Sequence, residues 1–214
     1  MQQFQNKASW ILSFSCAIKG GKEAFNVKYK FTEVLNDLIN YFILGDILLL
    51  ESWKQSNHLS DNLAMEFTTN ESGDNVVHDG IILPMVGIEN YPYTIIFNLS
   101  DDTPELLKTD SHLQFKREGY TLKVENNILI LFTWRILEQF TNERVNTLLN
   151  HYRQYKKPMI EIENSWYSID ILGGETLQDS GFEPTFEFVL RKTESKGHVE
   201  FDSNSDFKIE SSTY

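Results

Sequence analysis

Short segments in which apolar and polar residues alternate are the feature of this sequence that most constrains its fold. A period of two is typical of β-strands that bury one face, and turn-forming residues at hairpin spacing separate these segments. Successive parallel strands would need a crossover helix between them. We therefore predict an α+β fold with a mainly antiparallel sheet of about nine or ten short strands. The segments that carry the strand pattern are 10–19, 25–32, 63–68, 76–84, 93–100, 112–134, 159–172 and 183–192.

Two or three helices are predicted to pack on this sheet. Residues 142–156 have apolar residues at helical spacing, with Glu143 near the N-terminal end and Arg153 near the C-terminal end. The helix dipole favours each charge at the end where it lies. Apolar spacing also predicts a helix over residues 34–42, and the apolar run at 47–53 predicts another.

The chain of 214 residues is predicted to form one α+β domain over residues 1–190, with a weak division near 100–110. A domain of this size can bury a continuous core without a disulfide, and the single Cys16 lies in a predicted strand. Residues 191–214 are polar and rich in serine. We expect them to form a C-terminal extension that either frays or closes a terminal hairpin.

The N-terminal residues do not have the pattern of a signal peptide. Apolar and polar residues alternate at 10–19, whereas the central part of a signal peptide is uniformly apolar. A membrane-spanning helix needs about 18 or more consecutive apolar residues, and no such run occurs in the sequence. We therefore expect a cytoplasmic protein with no membrane partner.

Negative charge is concentrated in two stretches of the sequence. Residues 55–107 carry nine carboxylates and residues 158–190 carry seven, and neither stretch contains a Lys or Arg. The formal net charge is −12, so the remaining residues carry a small net positive charge. Nucleic-acid binding needs clustered Lys and Arg, and we therefore expect no nucleic-acid partner. The acidic stretches either keep the protein soluble or form a negative face that attracts a basic protein partner.

No catalytic residue, metal site or cofactor is predicted. Gly173-Gly174 lacks the spacing of a phosphate-binding loop, and the nearby carboxylates would repel a phosphate. The five histidines have no spacing typical of a zinc site. A carboxylate-based hydrolase or metal-dependent enzyme is an alternative, with a site drawn from Asp170, Glu175 and Asp179 and joined by His78 and Asp79.

A tryptophan beside carboxylates is the best candidate for a partner-binding site. Tyr167 alternates with Ile169 toward the predicted core, so the adjacent Trp166 should point outward with Asp170. An exposed Trp is typical of the residues that dominate binding energy at interfaces. Gly173-Gly174 is predicted to end this strand and to open an acidic hairpin loop. The candidate partner-binding residues are Trp166, Asp170, Glu175, Asp179 and Glu183.

The leading hypothesis is a non-enzymatic, acidic protein-binding module. In size, charge and lack of motifs the chain is similar to immunity proteins, the small acidic intracellular inhibitors that neutralise bacterial toxins, many of them basic nucleases. The similarity implies a basic toxin or nuclease as the partner, although no motif is shared residue by residue. The alternatives are the carboxylate-based enzyme and an accessory or structural protein of a phage or secretion system. The sequence makes no prediction of oligomeric state.

Overall fold

The computed structural model describes residues 27–35, 37, 39–179, 181–197 and 206–214. These residues form nine strands, four α-helices and two short 3₁₀ helices. The strands are β1 (Lys28–Val34), β2 (Tyr41–Gly45), β3 (Ile82–Val86), β4 (Pro92–Asn98), β5 (Ser111–Val124), β6 (Ile128–Thr133), β7 (Met159–Glu161), β8 (Ser165–Gln178) and β9 (Gly181–Thr193). The helices are α1 (Ile47–Ser56), α2 (Leu63–Thr69), α3 (Ser72–His78) and α4 (Asn142–Tyr155), with 3₁₀ helices at Glu105–Leu107 and Trp134–Gln139.

The strands form two sheets. In the five-stranded sheet the order is β1-β4-β9-β8-β5, and in the four-stranded sheet it is β3-β2-β6-β7. Every pairing of these strands is antiparallel except that of β4 with β9, which is parallel. The prediction of an α+β fold with a mainly antiparallel sheet and about nine strands is confirmed.

The two sheets pack face to face around the larger apolar core. Phe42 of β2 lies between them, and its ring meets those of Tyr93 in β4 and Phe186 in β9 edge-on, with centroids 5.9 and 6.3 Å apart. All three side chains are fully buried. Burial of a large apolar side chain contributes about 1.5–3 kcal/mol, so this aromatic contact is a substantial part of what holds the sheets together.

A helical layer covers the other face of the four-stranded sheet. Ile43 of β2 and Phe132 of β6 point to this side, because each alternates with a neighbour that lies between the sheets. They pack in a second core with residues of α1, α2 and α4, including Leu50, Leu63 and Val145. The described residues therefore form three layers, with the four-stranded sheet between the five-stranded sheet and the helices.

The helices predicted over 142–156 and 47–53 are confirmed as α4 and α1. The Thr141 hydroxyl caps α4 by accepting a hydrogen bond from the Arg144 backbone N–H at 3.3 Å. At its other end Lys156 adopts a left-handed conformation with φ of 52°, which stops the helix before Pro158.

Two other local predictions are wrong, and a third is wrong in part. The helix predicted over 34–42 does not form, because Val34 ends β1 and Tyr41 begins β2. The strand predicted over 63–68 is helix α2 instead, and Asn62 caps it by accepting a hydrogen bond from the Met65 backbone N–H at 3.0 Å. The segment predicted as a strand over 76–84 is divided between α3 and β3.

Part of the C-terminal extension is packed into the core between the sheets. Asp206 forms a parallel bridge with Val86, and the Phe207 backbone N–H donates to the Val86 carbonyl at 3.0 Å. The side chains of Phe207 and Ile209 are buried. Residues 206–214 are therefore not frayed. The other arm of the predicted terminal hairpin, like the strand predicted at 10–19 with Cys16, lies outside the described residues.

Candidate functional site

Gly173 and Gly174 do not open a loop, so that prediction is wrong. Both lie within β8, which pairs with β9 without interruption from Trp166 opposite Thr193 to Gln178 opposite Gly181. A Cβ atom on Gly173 would lie 2.1 Å from the Phe115 ring of β5, and one on Gly174 would lie 2.1 Å from the His112 carbonyl oxygen. The two glycines therefore allow β5 to pair closely with β8, which is a structural role.

Trp166 and Asp170 lie on the face of β8 that points away from the core between the sheets. Trp166 is half-buried, because its ring packs on Gly80, where a Cβ atom would lie 2.7 Å from it. The Lys123 ammonium group lies 5.7 Å from the centroid of the same ring. One carboxylate oxygen of Asp170 accepts a long hydrogen bond from the Gly119 backbone N–H at 3.4 Å. Both side chains are thus held by contacts within the fold.

Glu175 lies on the opposite face of β8 and is only 4% exposed. Its carboxylate accepts hydrogen bonds from the Ser212 backbone N–H at 2.7 Å and from the Ser212 hydroxyl at 2.8 Å. Glu183 in β9 is half-buried and accepts a hydrogen bond of 3.3 Å from the Tyr214 hydroxyl. Both residues therefore bind the C-terminal segment.

The five candidate residues are not brought together on one surface. Trp166 and Asp170 lie on one face of β8 and Glu175 on the other, while Asp179 is exposed beyond the end of the strand. Their role in binding a partner stays a prediction, but the geometry requires Glu175 to be counted as a structural residue.

Other carboxylates of the 158–190 stretch are also engaged within the fold. Glu187 is fully buried and accepts hydrogen bonds from the Asn98 amide at 2.8 Å and from the Leu106 backbone N–H at 3.0 Å. Glu163 forms an ion pair of 2.7 Å with Lys192. This stretch therefore does not present a continuous acidic face.

The 55–107 stretch, in contrast, places a group of carboxylates on the helical layer. Glu71, Asp74 and Asp79 are exposed on or beside α3, and Glu66 lies on α2, which contacts α3. Among the described residues no Lys or Arg forms an ion pair with any of these four carboxylates. We refer to Glu66, Glu71, Asp74 and Asp79 as the acidic helical surface.

Hydrogen bonding favours the ionised form of one carboxylate of this surface, Glu66. The Glu66 carboxylate accepts hydrogen bonds from the Ser60 backbone N–H at 3.0 Å and from the Asn70 amide at 2.8 Å. Hydrogen bonds from Ser60 and Asn70 hold the pKa of Glu66 below its ordinary value, because they stabilise the ionised carboxylate. Glu66 is therefore charged at neutral pH.

Carboxylates elsewhere in the 55–107 stretch have basic neighbours. Glu105 forms ion pairs with Lys28 at 2.8 Å and with Lys108 at 2.6 Å. Asp61 forms an ion pair with the nearly buried Lys54. The acidic helical surface is thus the part of this stretch in which several neighbouring carboxylates lack such compensation among the described residues.

An aromatic groove of about 700 Å³ lies between α2, the start of β2 and the 134–139 helix. Tyr41 and Trp134 form one wall, with ring centroids 5.2 Å apart. Met65, which is 57% exposed, and Ile39, which is 36% exposed, add aliphatic surface. The polar residues that line the groove are Asn62, Thr68, Glu138 and Gln139. No Lys or Arg is among the described residues that line it.

A second, smaller lobe of about 510 Å³ continues this groove along α4. The two lobes share Asn62, Glu138 and Gln139, and the second one adds Asp61, Glu143 and Arg144. The sequence did not predict the groove, because Tyr41, Met65 and Trp134 come from segments far apart in the chain and no short motif links them.

The described residues contain no group of three or more His, Cys, Asp or Glu side chains placed to hold a metal ion. The alternative enzyme hypothesis includes His78 and Asp79. Their Nδ1 and Oδ1 atoms lie 3.6 Å apart, and both side chains are exposed. Asp79 also accepts a hydrogen bond of 2.9 Å from the Trp53 indole.

Among the helices of the described part of the chain, none is long and apolar enough to cross a membrane.

Neither the family models nor the curated protein sequences contain a match to this chain. Two solved structures share part of its fold. One, described as "Crocagin biosynthetic gene J", has a TM-score of 0.42 and 7% identity and covers 76% of this chain and 97% of its own. The other, ComJ from Bacillus subtilis, an inhibitor of the DNA-degrading activity of NucA, has a TM-score of 0.40 and 9% identity and covers 78% and 96%. Likeness at these values supports no inference about the function of this chain.

Proposed function

We propose that this protein is a protein-binding module that engages a basic protein through the acidic helical surface. The observation that supports the proposal most is the contrast between the two acidic stretches. Most carboxylates at 158–190 are buried or bonded within the fold. Glu71, Asp74 and Asp79 are exposed on or beside α3. Among the described residues no Lys or Arg forms an ion pair with the carboxylates of the acidic helical surface. Like charges placed together cost stability, so a binding role is a reason for their position.

The charge distribution also suits rapid association. An acidic patch steers a basic partner during diffusional encounter and can raise the association rate constant toward 10⁸–10⁹ M⁻¹s⁻¹ at low salt, on the order of a hundredfold above neutral pairs. The rest of the chain, outside the two acidic stretches, carries net positive charge. Within the helical layer α4 carries Arg144 and Arg153, so the molecule would approach a basic partner with α2 and α3 first.

The partner class that fits this surface best is a basic toxin or nuclease, with the protein acting as an immunity-type inhibitor in the cytoplasm. Nucleases bind phosphates through clustered Lys and Arg. The same side chains form strong charge-assisted hydrogen bonds with carboxylates. An acidic helical surface can thus occupy the groups that would otherwise bind nucleic acid. The proposal rests on this charge chemistry and on no likeness to a known inhibitor.

Affinity capture from the source cell tests the proposal. We expect a basic protein to co-purify with the wild-type protein and to be lost with the double variant Glu71→Lys/Asp74→Lys, because both exposed carboxylates belong to the acidic helical surface. The matched control is Asp102→Lys/Asp110→Lys, which makes the same change in net charge at two exposed positions between β4 and β5. Circular dichroism of each variant checks that the fold is kept.

Comparison with the control pair shows whether partner binding depends on where the charges are reversed. Loss of the partner with Asp102→Lys/Asp110→Lys but not with Glu71→Lys/Asp74→Lys would move the contact to the segment between β4 and β5. Equal retention by both variants would contradict an electrostatic interface altogether.

A further inference from the structure

We propose that the aromatic groove receives a large apolar side chain from the same basic partner that the acidic helical surface attracts. The inference rests on the proposed function and adds the feature that gives the complex its specificity. Electrostatic steering raises association rates, but the binding energy of an interface is concentrated in a few buried aromatic and aliphatic contacts. The groove supplies such contacts next to the charged surface, since α2 contributes to both.

Hydrogen bonds within the fold position the backbone segments that carry Tyr41 and Trp134. The Tyr41 backbone N–H donates to the Ile39 carbonyl at 2.8 Å, which positions the start of β2. The Asp37 carboxylate accepts a hydrogen bond of 2.9 Å from the Arg135 backbone N–H, which ties this segment to the 134–139 helix beside Trp134. A preformed pocket lowers the entropic cost of binding.

The composition of the groove is that of an interface centre. Tyr and Trp are enriched among residues that dominate binding energy, and the flexible Met side chain adapts to partners of different shape. A volume of about 700 Å³ lies within the range of pockets that enclose a small ligand, so it has room for a large side chain. Polar residues at the rim can exclude water from the contact.

Charge identifies the occupant as part of a basic partner. Glu138 is the charged residue that lines the main lobe, and it lies beside α2, which also carries Glu66. In the adjoining lobe Asp61 is paired with Lys54, and Glu143 and Arg144 carry opposite charges. A phenylalanine, tryptophan or leucine flanked by Lys or Arg fits this environment. A second copy of the chain fits poorly, because two molecules with a net charge of −12 would meet at their acidic sides.

Isothermal titration calorimetry with two synthetic peptides tests the groove. Both probes are twelve-residue peptides of Lys and Ser with the same net charge, and one carries a central Phe where the other carries Ser. We expect the wild-type protein to bind the Phe peptide roughly tenfold more tightly, since one aromatic side chain is buried in the groove.

Matched protein variants locate the effect. The double variant Ile39→Ser/Met65→Ser should lose the preference for Phe but keep the salt-sensitive binding of both peptides, because the acidic helical surface is unchanged. The control variant Leu113→Ser/Leu177→Ser removes two exposed apolar side chains from the five-stranded sheet and should keep the preference. The chemical shift of the Trp134 indole N–H should change on adding the Phe peptide only.

Each other outcome overturns the inference in a distinguishable way. The wild-type protein could bind the two peptides equally and lose both at high salt. This result would contradict a role for the groove in binding but would agree with binding by the acidic helical surface. Binding of neither peptide at millimolar concentration would overturn both. A dimer of the wild-type protein that Met65→Ser dissociates would assign the groove to a second copy of the chain.

Discussion

Replacing Asp46 with alanine is expected to lower the free energy of unfolding by roughly 3–5 kcal/mol, since several buried donors lose their acceptor together. Asp46 is fully buried between β2 and α1. Its Oδ1 accepts from the backbone N–H groups of Leu48 and Leu49, each at 3.1 Å, and so caps α1. Its Oδ2 accepts from the Glu125 backbone N–H at 2.9 Å and from the Asn126 backbone and amide groups at 2.8 and 3.1 Å.

Urea unfolding followed by circular dichroism measures this loss. The matched control is Asn62→Ala, which removes the cap of α2 but only one hydrogen bond at an exposed position, and should cost about 1 kcal/mol. Asp46 differs because it joins the start of α1 to the turn between β5 and β6. Losses of similar size in the two variants would show that this connection contributes nothing beyond an ordinary helix cap.

Phe207→Ala is expected to cost about 3–5 kcal/mol, as is usual when a buried aromatic side chain leaves a cavity. Phe207 is 1% exposed, and its ring lies edge-on to that of Phe115 with centroids 5.9 Å apart. Its backbone N–H also donates to the Val86 carbonyl of β3. Loss of this side chain should therefore release the C-terminal segment from the core between the sheets.

Tyr214→Ala is the matched control for this variant. The Tyr214 ring stacks on that of Tyr91 at 5.7 Å but is about half exposed, so its removal should cost less than about 1 kcal/mol. Limited proteolysis should cleave the C-terminal segment faster in Phe207→Ala than in Tyr214→Ala. Equal unfolding free energies and equal cleavage rates in the two variants would contradict the role of Phe207 as the residue that holds this segment.

The sequence predicts the strands best where one face is buried. In the first half of β8, Tyr167, Ile169 and Ile171 face the core between the sheets while the residues between them are less buried, so the period of two is visible. In β2 both faces are buried, with Phe42 between the sheets and Ile43 under the helices, and the alternation disappears. Phe42 also falls at helical spacing from Leu35, Leu38 and Ile39, which is why the sequence predicts a helix over 34–42.

Helix α2 shows how a short pattern misleads. Leu63, Met65 and Phe67 suggest a strand, but the structure buries Leu63 and Ala64 and leaves Met65 exposed. These burials fit a helix that begins after the cap Asn62. A seven-residue helix contains too few turns for its period to be distinguished from alternation.

Some features of the candidate site are visible in the local sequence, and others depend on contacts between distant segments. The excess of carboxylates at 55–107 was visible in the sequence, although its focus on α2 and α3 was not. The role of Gly173 depends on Phe115, which approaches it only because β5 pairs with β8. The aromatic groove likewise depends on the meeting of Tyr41 and Trp134, which tertiary packing alone determines.

The association rate constant of the captured basic partner, measured by surface plasmon resonance at 50 and 300 mM NaCl, tests the acidic helical surface most directly. We predict that Glu71→Lys/Asp74→Lys lowers this constant about tenfold or more at 50 mM and that salt removes most of the difference, whereas Asp102→Lys/Asp110→Lys changes it less than about threefold. Equal slowing by both pairs would show that net charge alone determines the association rate. No slowing by Glu71→Lys/Asp74→Lys would contradict binding through the acidic helical surface.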